Sequence, residues 1–305
     1  MTGQVFLDFK KSSISTSKII LIMVIPYYLL AELLIYFELM PYIASIFSPF
    51  TDLLNLPPEA SLAIAAGVLL NLYAAVAFAA PLGMNIYEWT ILGLFLGVMH
   101  NMLVEVSILK KIGIPVVTSV SYRFFMAFLA VSPLILLPKN FFLSEPDSIF
   151  KPLYEVKVEN YETFTDFLFS KFVDSVILSA EIIILVGLVL LITSFIKNLS
   201  FLRKVNHQIA MISSMISGIS VGIVYGAGVL LSEAKYMTKK QIYSACFFLM
   251  TAHAIIEDTL LFVYFGANIW ILVLFRLFLA IIVFYLIIAF YKTPLIDKQH
   301  PQDTR

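Results

Sequence analysis

Polar residues concentrate in the stretches between eight apolar blocks, at roughly 19–37, 60–80, 89–109, 116–137, 173–196, 208–231, 241–264 and 269–291. Each block is close to the ~20 residues that cross ~30 Å of hydrocarbon. In lipid an open strand leaves its backbone unpaired, so the blocks are predicted to be helical. The first holds Glu32 and has no small-residue cleavage pattern, so it reads as a retained span. Residues 41–56 carry Pro41 and Pro49, with Pro57 and Pro58 just after, and read as an interfacial stretch. Residues 138–172 read as a polar connecting loop, and 1–18 and 292–305 as polar tails.

Composition agrees: 61% of the residues are hydrophobic and 13% charged, against about 45–50% and about 25% in soluble domains. The expectation is an all-α polytopic membrane protein, which excludes a soluble enzyme and a nucleic-acid binder. The net charge is zero and points to no partner. The single cysteine, Cys246, gives no disulfide framework.

The chain reads as duplicated. Residues 19–137 and 173–291 form two repeats of four helical elements. Ala31-Glu32 matches Ala180-Glu181 at an offset of 149; Tyr73 matches Tyr225, Phe95 matches Phe247 and Glu105 matches Glu257 at 152; Gly113 matches Gly266 and Arg123 matches Arg276 at 153. Seven acids and bases lie well inside the blocks, namely Glu32, Glu105, Arg123, Glu181, Glu257, Asp258 and Arg276, and six of them pair between the halves. Internal repeats are a construction rule of secondary transporters.

Two arrangements compete. Four full crossings per half make the halves parallel; three crossings plus a re-entrant hairpin make them inverted. Outside the spans and the 138–172 loop, Lys and Arg divide 14 inside to 0 outside with 60–80 and 208–231 re-entrant, and 9 to 5 with all blocks crossing. The positive-inside rule favours inverted halves with the N-terminus in the cytoplasm. Ser213, Ser214, Ser217, Gly218, Ser220, Gly222, Gly226 and Gly228 in 208–231, and Gly67 and Asn71 in 60–80, fit interrupted segments. Ser214, Gly218, Gly222 and Gly226 also recur every four residues, as in a close-packing stripe.

A charge at the bilayer centre costs at least about 2.5–3.5 kcal/mol and so needs a partner or a polar cavity. Glu105 lies eight residues before Gly113 and Arg123 ten after it; Glu257 lies nine before Gly266 and Arg276 ten after it. At 1.5 Å per residue, each Glu–Arg pair falls at one depth on adjacent antiparallel helices, near the membrane middle. Such pairs either stake two hairpins together or line a solute site. His253 and Glu257 are four apart, on one helix face, followed by Asp258 and Thr259. His253 aligns with Asn101, and His100 is five residues from Glu105, off its face. His253 and Glu257 read as a structural polar patch, a proton relay with Asp258, or two metal ligands needing Glu181, Glu32 or Asp258 as a third. Glu32 and Glu181 read as mid-span acids that are protonated, face a cavity, or pair with Arg123 or Arg276. Trp89 and Trp270 start their blocks, as interfacial anchors do. No His-Glu-x-x-His or phosphate loop occurs, so neither an enzyme nor a cofactor is expected.

Glu105 through Lys111, Gly113 and Arg123, followed by His253-Ala-Ile-Ile-Glu257-Asp258-Thr259 and Arg276, resemble membrane proteins that carry the nucleoside recognition or gate domain. Similar segments occur in concentrative nucleoside transporters, in the membrane half of ferrous iron transporters and in spore maturation proteins. The resemblance spans about 41–290 in two copies. It implies a prokaryotic inner-membrane protein with inverted repeats and a transporter-like pore, and it leaves the substrate open. The expected function is to move or bind a small solute at a midplane site formed by Glu105, Arg123, His253, Glu257, Asp258, Arg276, Glu32, Glu181, His100, Asn101, Tyr73 and Tyr225. The alternative is a non-transporting scaffold or envelope-process component with structural ion pairs. Lipid and an unidentified solute or ion are the expected partners, and a homo-oligomer stays open.

Overall fold

A computed structural model describes residues 2–136, 153–154, 161–197, 210–222 and 237–290. Among these the chain is helical without strands: α1 (Thr2–Tyr36), α2 (Met40–Asp52), α3 (Ala60–Leu69), α4 (Leu72–Ala79), α5 (Ile86–Met99), α6 (Met102–Ile112), α7 (Val116–Ile135), α8 (Phe164–Lys197), α9 (Ala210–Val221), α10 (Lys239–Ala252), α11 (Ile255–Tyr264) and α12 (Ile269–Phe290). Among the described residues, six stretches are long and apolar enough to cross a membrane: in α1, α7, α8 and α12, and across α5–α6 and α10–α11. The protein is an all-α polytopic membrane protein.

Helix boundaries differ from the apolar blocks where polar residues extend a helix. α1 takes in residues 2–18, expected as a tail, because neither Gly nor Pro interrupts residues 4–25. Glu32 therefore lies near the end of its helix and not mid-span. α8 starts inside the expected loop, where the Thr163 hydroxyl accepts from the Asp166 N–H at 3.1 Å and caps the first turn. The tail at 292–305, Tyr225 and the second half of block 208–231 lie outside the described residues.

Block 60–80 is a helical hairpin. At Leu70 ψ is −87°, Asn71 is extended, and the Asn71 side chain caps α4 by accepting from the Ala74 N–H at 3.0 Å. A Cβ on Gly67 would stand 3.1 Å from that of Ala75, so α3 and α4 fold back on each other. Ten residues of α3 rise only about 15 Å, half a bilayer.

The two halves run in opposite senses. The Trp89 ring at the start of α5 stacks on Phe265 just after α11, centroids 4.5 Å apart. The Thr90 hydroxyl accepts from the Asn268 N–H at 2.9 Å. His100 and His253 meet with ring centroids 5.0 Å apart. Leu109 and Ile114 share a core with Ala245 and Cys246. The α5–α6 and α10–α11 spans thus cross antiparallel, middle on middle. They occupy the centre of the bundle: 72% and 78% of their most apolar windows are buried, against at most 33% for the other four spans. Trp89, expected as an interfacial anchor, is 3% exposed and packs inside, whereas Trp270 is 62% exposed. Between the spans, the Tyr154 hydroxyl lies 3.3 Å from that of Tyr28, and burial pushes it up to about 12.

Candidate functional site

The central spans are both broken at mid-length. α5 ends on His100 with ψ 162°, Asn101 follows in the left-handed region at φ 51°, and α6 begins at Met102. α10 ends on His253 with ψ 162°, Ala254 follows at φ 46°, and α11 begins at Ile255. Breaking a helix strands carbonyls on one side and N–H groups on the other, and the bilayer core has no water to pair them.

Several of these groups find partners, and the same solution appears twice. Arg123 Nε donates to the Val98 carbonyl and Nη2 to that of His100, both at 2.7 Å. Arg276 Nε donates to the Thr251 carbonyl at 3.3 Å and Nη2 to that of His253 at 2.6 Å. The Asn101 N–H donates to Gly67 of the hairpin at 2.9 Å, and the Ala254 N–H to Gly218 of α9 at 3.0 Å. Both guanidinium groups are essentially fully buried, at 0% and 1% exposure. Their fixed fork of donors suits the several acceptors that a helix end presents. A cation at the carbonyl end and an acid in the first turn beyond the break also match the helix dipoles. Arg123 Nη1 lies 2.8 Å from Glu105 Oε2, and Arg276 Nη1 lies 3.3 Å from Asp258 Oδ2.

The geometry corrects the register read from sequence. At the breaks the offset is 153, so Asp258 is the counterpart of Glu105, His253 of His100, and Ala254 of Asn101. Glu257 is not the partner of Arg276. It accepts from the Tyr73 hydroxyl of α4 at 2.7 Å, which ties the hairpin of the first half to the broken helix of the second. Helical spacing also misled for the histidines, because a break lies between each His and its acid. His100, expected off the face of Glu105, has Nε2 3.5 Å from Glu105 Oε1. His253, expected to share a face with Glu257, points across the halves, with Nε2 3.1 Å from the same oxygen. The Nδ1 atoms of His100 and His253 lie 2.8 Å from the carbonyls of Leu96 and Leu249.

Glu32 and Glu181 stand outside this cluster and pair with neither arginine. Glu32 binds Lys171 of α8 at 3.1 Å, a lysine expected in the loop. Glu181 accepts a short hydrogen bond from the Tyr264 hydroxyl. Sequence reasoning missed two members of the polar centre, Tyr122 and Thr251, whose hydroxyls lie 2.6 Å apart. It also missed the carbonyls of Gly67 and Gly218, which no side-chain pattern signals. The arrangement brings together two cations, three acids and two histidines where two helices are interrupted. Glu105 is the point where both halves converge.

The chain is 25% identical over 272 residues, covering 85% of its length and 86% of the relative's, to a Bacillus subtilis (strain 168) protein named uncharacterized membrane protein YvoD. That similarity agrees with the membrane architecture. No protein-family model matches the chain. No solved structure matches it either.

Proposed function

We propose that the protein is a transporter-like membrane protein that moves or binds a small solute at the crossing of the two broken helices. One observation carries this reading: two spans break at the same depth, antiparallel, and a hairpin docks on the break. Discontinuous helices with exposed termini, facing one another across inverted repeats, are how secondary transporters build midplane sites. The Tyr73–Glu257 contact gives the α3–α4 hairpin a polar latch that a solute would displace. The role is non-enzymatic, in a prokaryotic inner membrane with the N-terminus cytoplasmic, as the gate-domain resemblance and the lysine distribution suggest. Purified protein in liposomes is expected to take up, or be thermally stabilised by, a member of a panel of nucleosides, divalent cations and organic anions. Silence across the panel would overturn it.

A second reading has its own support. The arginine donors are engaged by helix-end carbonyls, a structural task that a scaffold would also need. A scaffold role is expected to leave cellular function unchanged in Tyr73→Phe, whereas a transport role is expected to lose uptake while the variant stays folded.

A further inference from the structure

His100 Nε2, His253 Nε2 and Glu105 Oε1 converge inside the bundle, all within 4.8 Å of one another. From this convergence we propose a binding site for a first-row divalent transition cation of the Zn2+ class. The proposal holds whether or not the protein transports a solute.

The ring nitrogens define which atoms can bind a cation. Each Nδ1 faces a backbone carbonyl, of Leu96 or Leu249, at 2.8 Å. A carbonyl only accepts, so each Nδ1 carries a hydrogen, and in a neutral ring Nε2 then presents a lone pair. Both lone pairs are aimed at a carboxylate oxygen, from 3.1 and 3.5 Å. Three acceptors thus converge on one another, with His100, Glu105 and His253 at 7%, 2% and 1% exposure. Acceptors so close repel in a buried site unless a positive charge sits among them. One divalent ion answers all three at once.

The chemistry of the donors selects the ion. Two imidazoles and a carboxylate suit Zn2+ and its neighbours, whereas Mg2+ and Ca2+ prefer all-oxygen shells. Ligands at about 2.0–2.1 Å from a tetrahedral ion stand about 3.4 Å apart, so modest ring rotations close the set. The supporting contacts are those of a metal site: carbonyls fix both histidine tautomers, and Arg123 holds the other carboxylate oxygen at 2.8 Å. Three protein ligands leave a fourth position open. The ligands come from both repeats, so the ion would tie the two broken helices together. No pairing rule in the sequence unites them, since Glu105 and His253 are 148 residues apart.

The test is metal content. Purified protein in detergent, equilibrated with Zn2+ and dialysed, is expected to retain one ion per chain. Co2+ in its place is expected to give visible absorption bands of a low-coordinate site. His253→Gln and Glu105→Gln are each expected to weaken binding at least about 10-fold, the loss that even outer-sphere changes produce. His207→Ala with His300→Ala, the other two histidines, is expected to keep full stoichiometry. Where the ligand variants do not fold, X-ray absorption of the Zn2+-loaded wild type decides, and two imidazoles in its first shell are expected. A wild type that binds no Zn2+, a stoichiometry that follows His207 and His300, or a shell without two imidazoles each overturns the site and leaves a shared proton as the charge between the acceptors.

Discussion

Arg123 and Arg276, 153 residues apart, perform one task in opposite orientations: each spans a helix break, with two donors on the carbonyls before it and an ion pair to the acid after it. This explains why the membrane holds two guanidinium groups. An apolar side chain would pack the hairpins at lower desolvation cost, but it donates nothing to a severed helix end.

The consequence is measurable. Arg123→Leu is expected to destabilise the protein by ~3–5 kcal/mol, because it strands Glu105 and the carbonyls of Val98 and His100. Arg123→Leu with Glu105→Leu removes both charges. If the pair were only an ion pair, the double variant would recover wild-type stability. The carbonyls are expected to keep it at least about 2 kcal/mol below, since each orphan costs about 1–3 kcal/mol. Thermal unfolding in detergent reads the difference.

Docking of the hairpin on the break makes a second prediction. A Cβ on Gly67 would lie 2.7 and 2.8 Å from the methyls of Leu96, and one on Gly218 would lie 2.3 Å from a methyl of Leu249. Gly67→Ala is expected to cost ~1–3 kcal/mol by overpacking and to push the Gly67 carbonyl away from the Asn101 N–H. Combining it with Leu96→Ala is expected to return part of that loss, a coupling of about 0.5–3 kcal/mol in a double-mutant cycle. Strict additivity would mean that the two residues do not meet.

Backbone handedness at the breaks gives a third. Asn101 and Ala254 sit at φ 51° and 46°. Asparagine tolerates the left-handed region through its short polar side chain, whereas alanine meets a steric penalty of roughly 1–2 kcal/mol. Ala254→Gly is therefore expected to stabilise the protein by up to about 1 kcal/mol after the entropy that glycine adds to the unfolded chain. Asn101→Gly is expected to fall within about 0.5 kcal/mol of wild type. Equal shifts in chemical denaturation would show that Ala254 carries no more backbone strain than Asn101.

The helical spans and the pairing of Glu105 with Arg123 were legible in the sequence, because charges in lipid are few and their spacing carries geometry. The register was not. Glu257 and Asp258 are adjacent, and one residue of offset separates the two assignments; only the broken helix makes Asp258 face Arg276 while Glu257 reaches Tyr73. Regular helical periodicity put His253 with Glu257 and kept His100 from Glu105. Neither break carries Gly or Pro, the residues that usually announce one. Instead the interruption is held by tertiary bonds from Arg123, Arg276, Gly67 and Gly218, which lie far along the chain.

The Glu32–Lys171 pair gives a fourth prediction. Both side chains are buried, at 6% and 7% exposure, with Asp174 3.7 Å from Lys171. Lys171→Met strands a buried carboxylate and is expected to cost ~3–5 kcal/mol. The pair lies outside the cluster around Glu105, so Zn2+ stoichiometry is expected to be unchanged in the folded fraction. Loss of bound metal from folded Lys171→Met protein would show that the two regions are coupled.

Membrane topology gives the last. α3 and α4 are too short to cross, and Gly67 lies against Ala75, so the chain returns to the side it entered from. Leu82 then shares a side with α2, and the full α5–α6 span carries Lys110 and Lys111 to the other. With the N-terminus cytoplasmic, a single cysteine at Leu82 in a Cys246→Ser background is expected to label from outside. Cysteines at Lys110 and Ser232 are expected to label from the cytoplasm. Cytoplasmic labelling at Leu82 alone would make the hairpin a crossing segment, place the lysines of α6 outside and remove the charge bias that orients the chain.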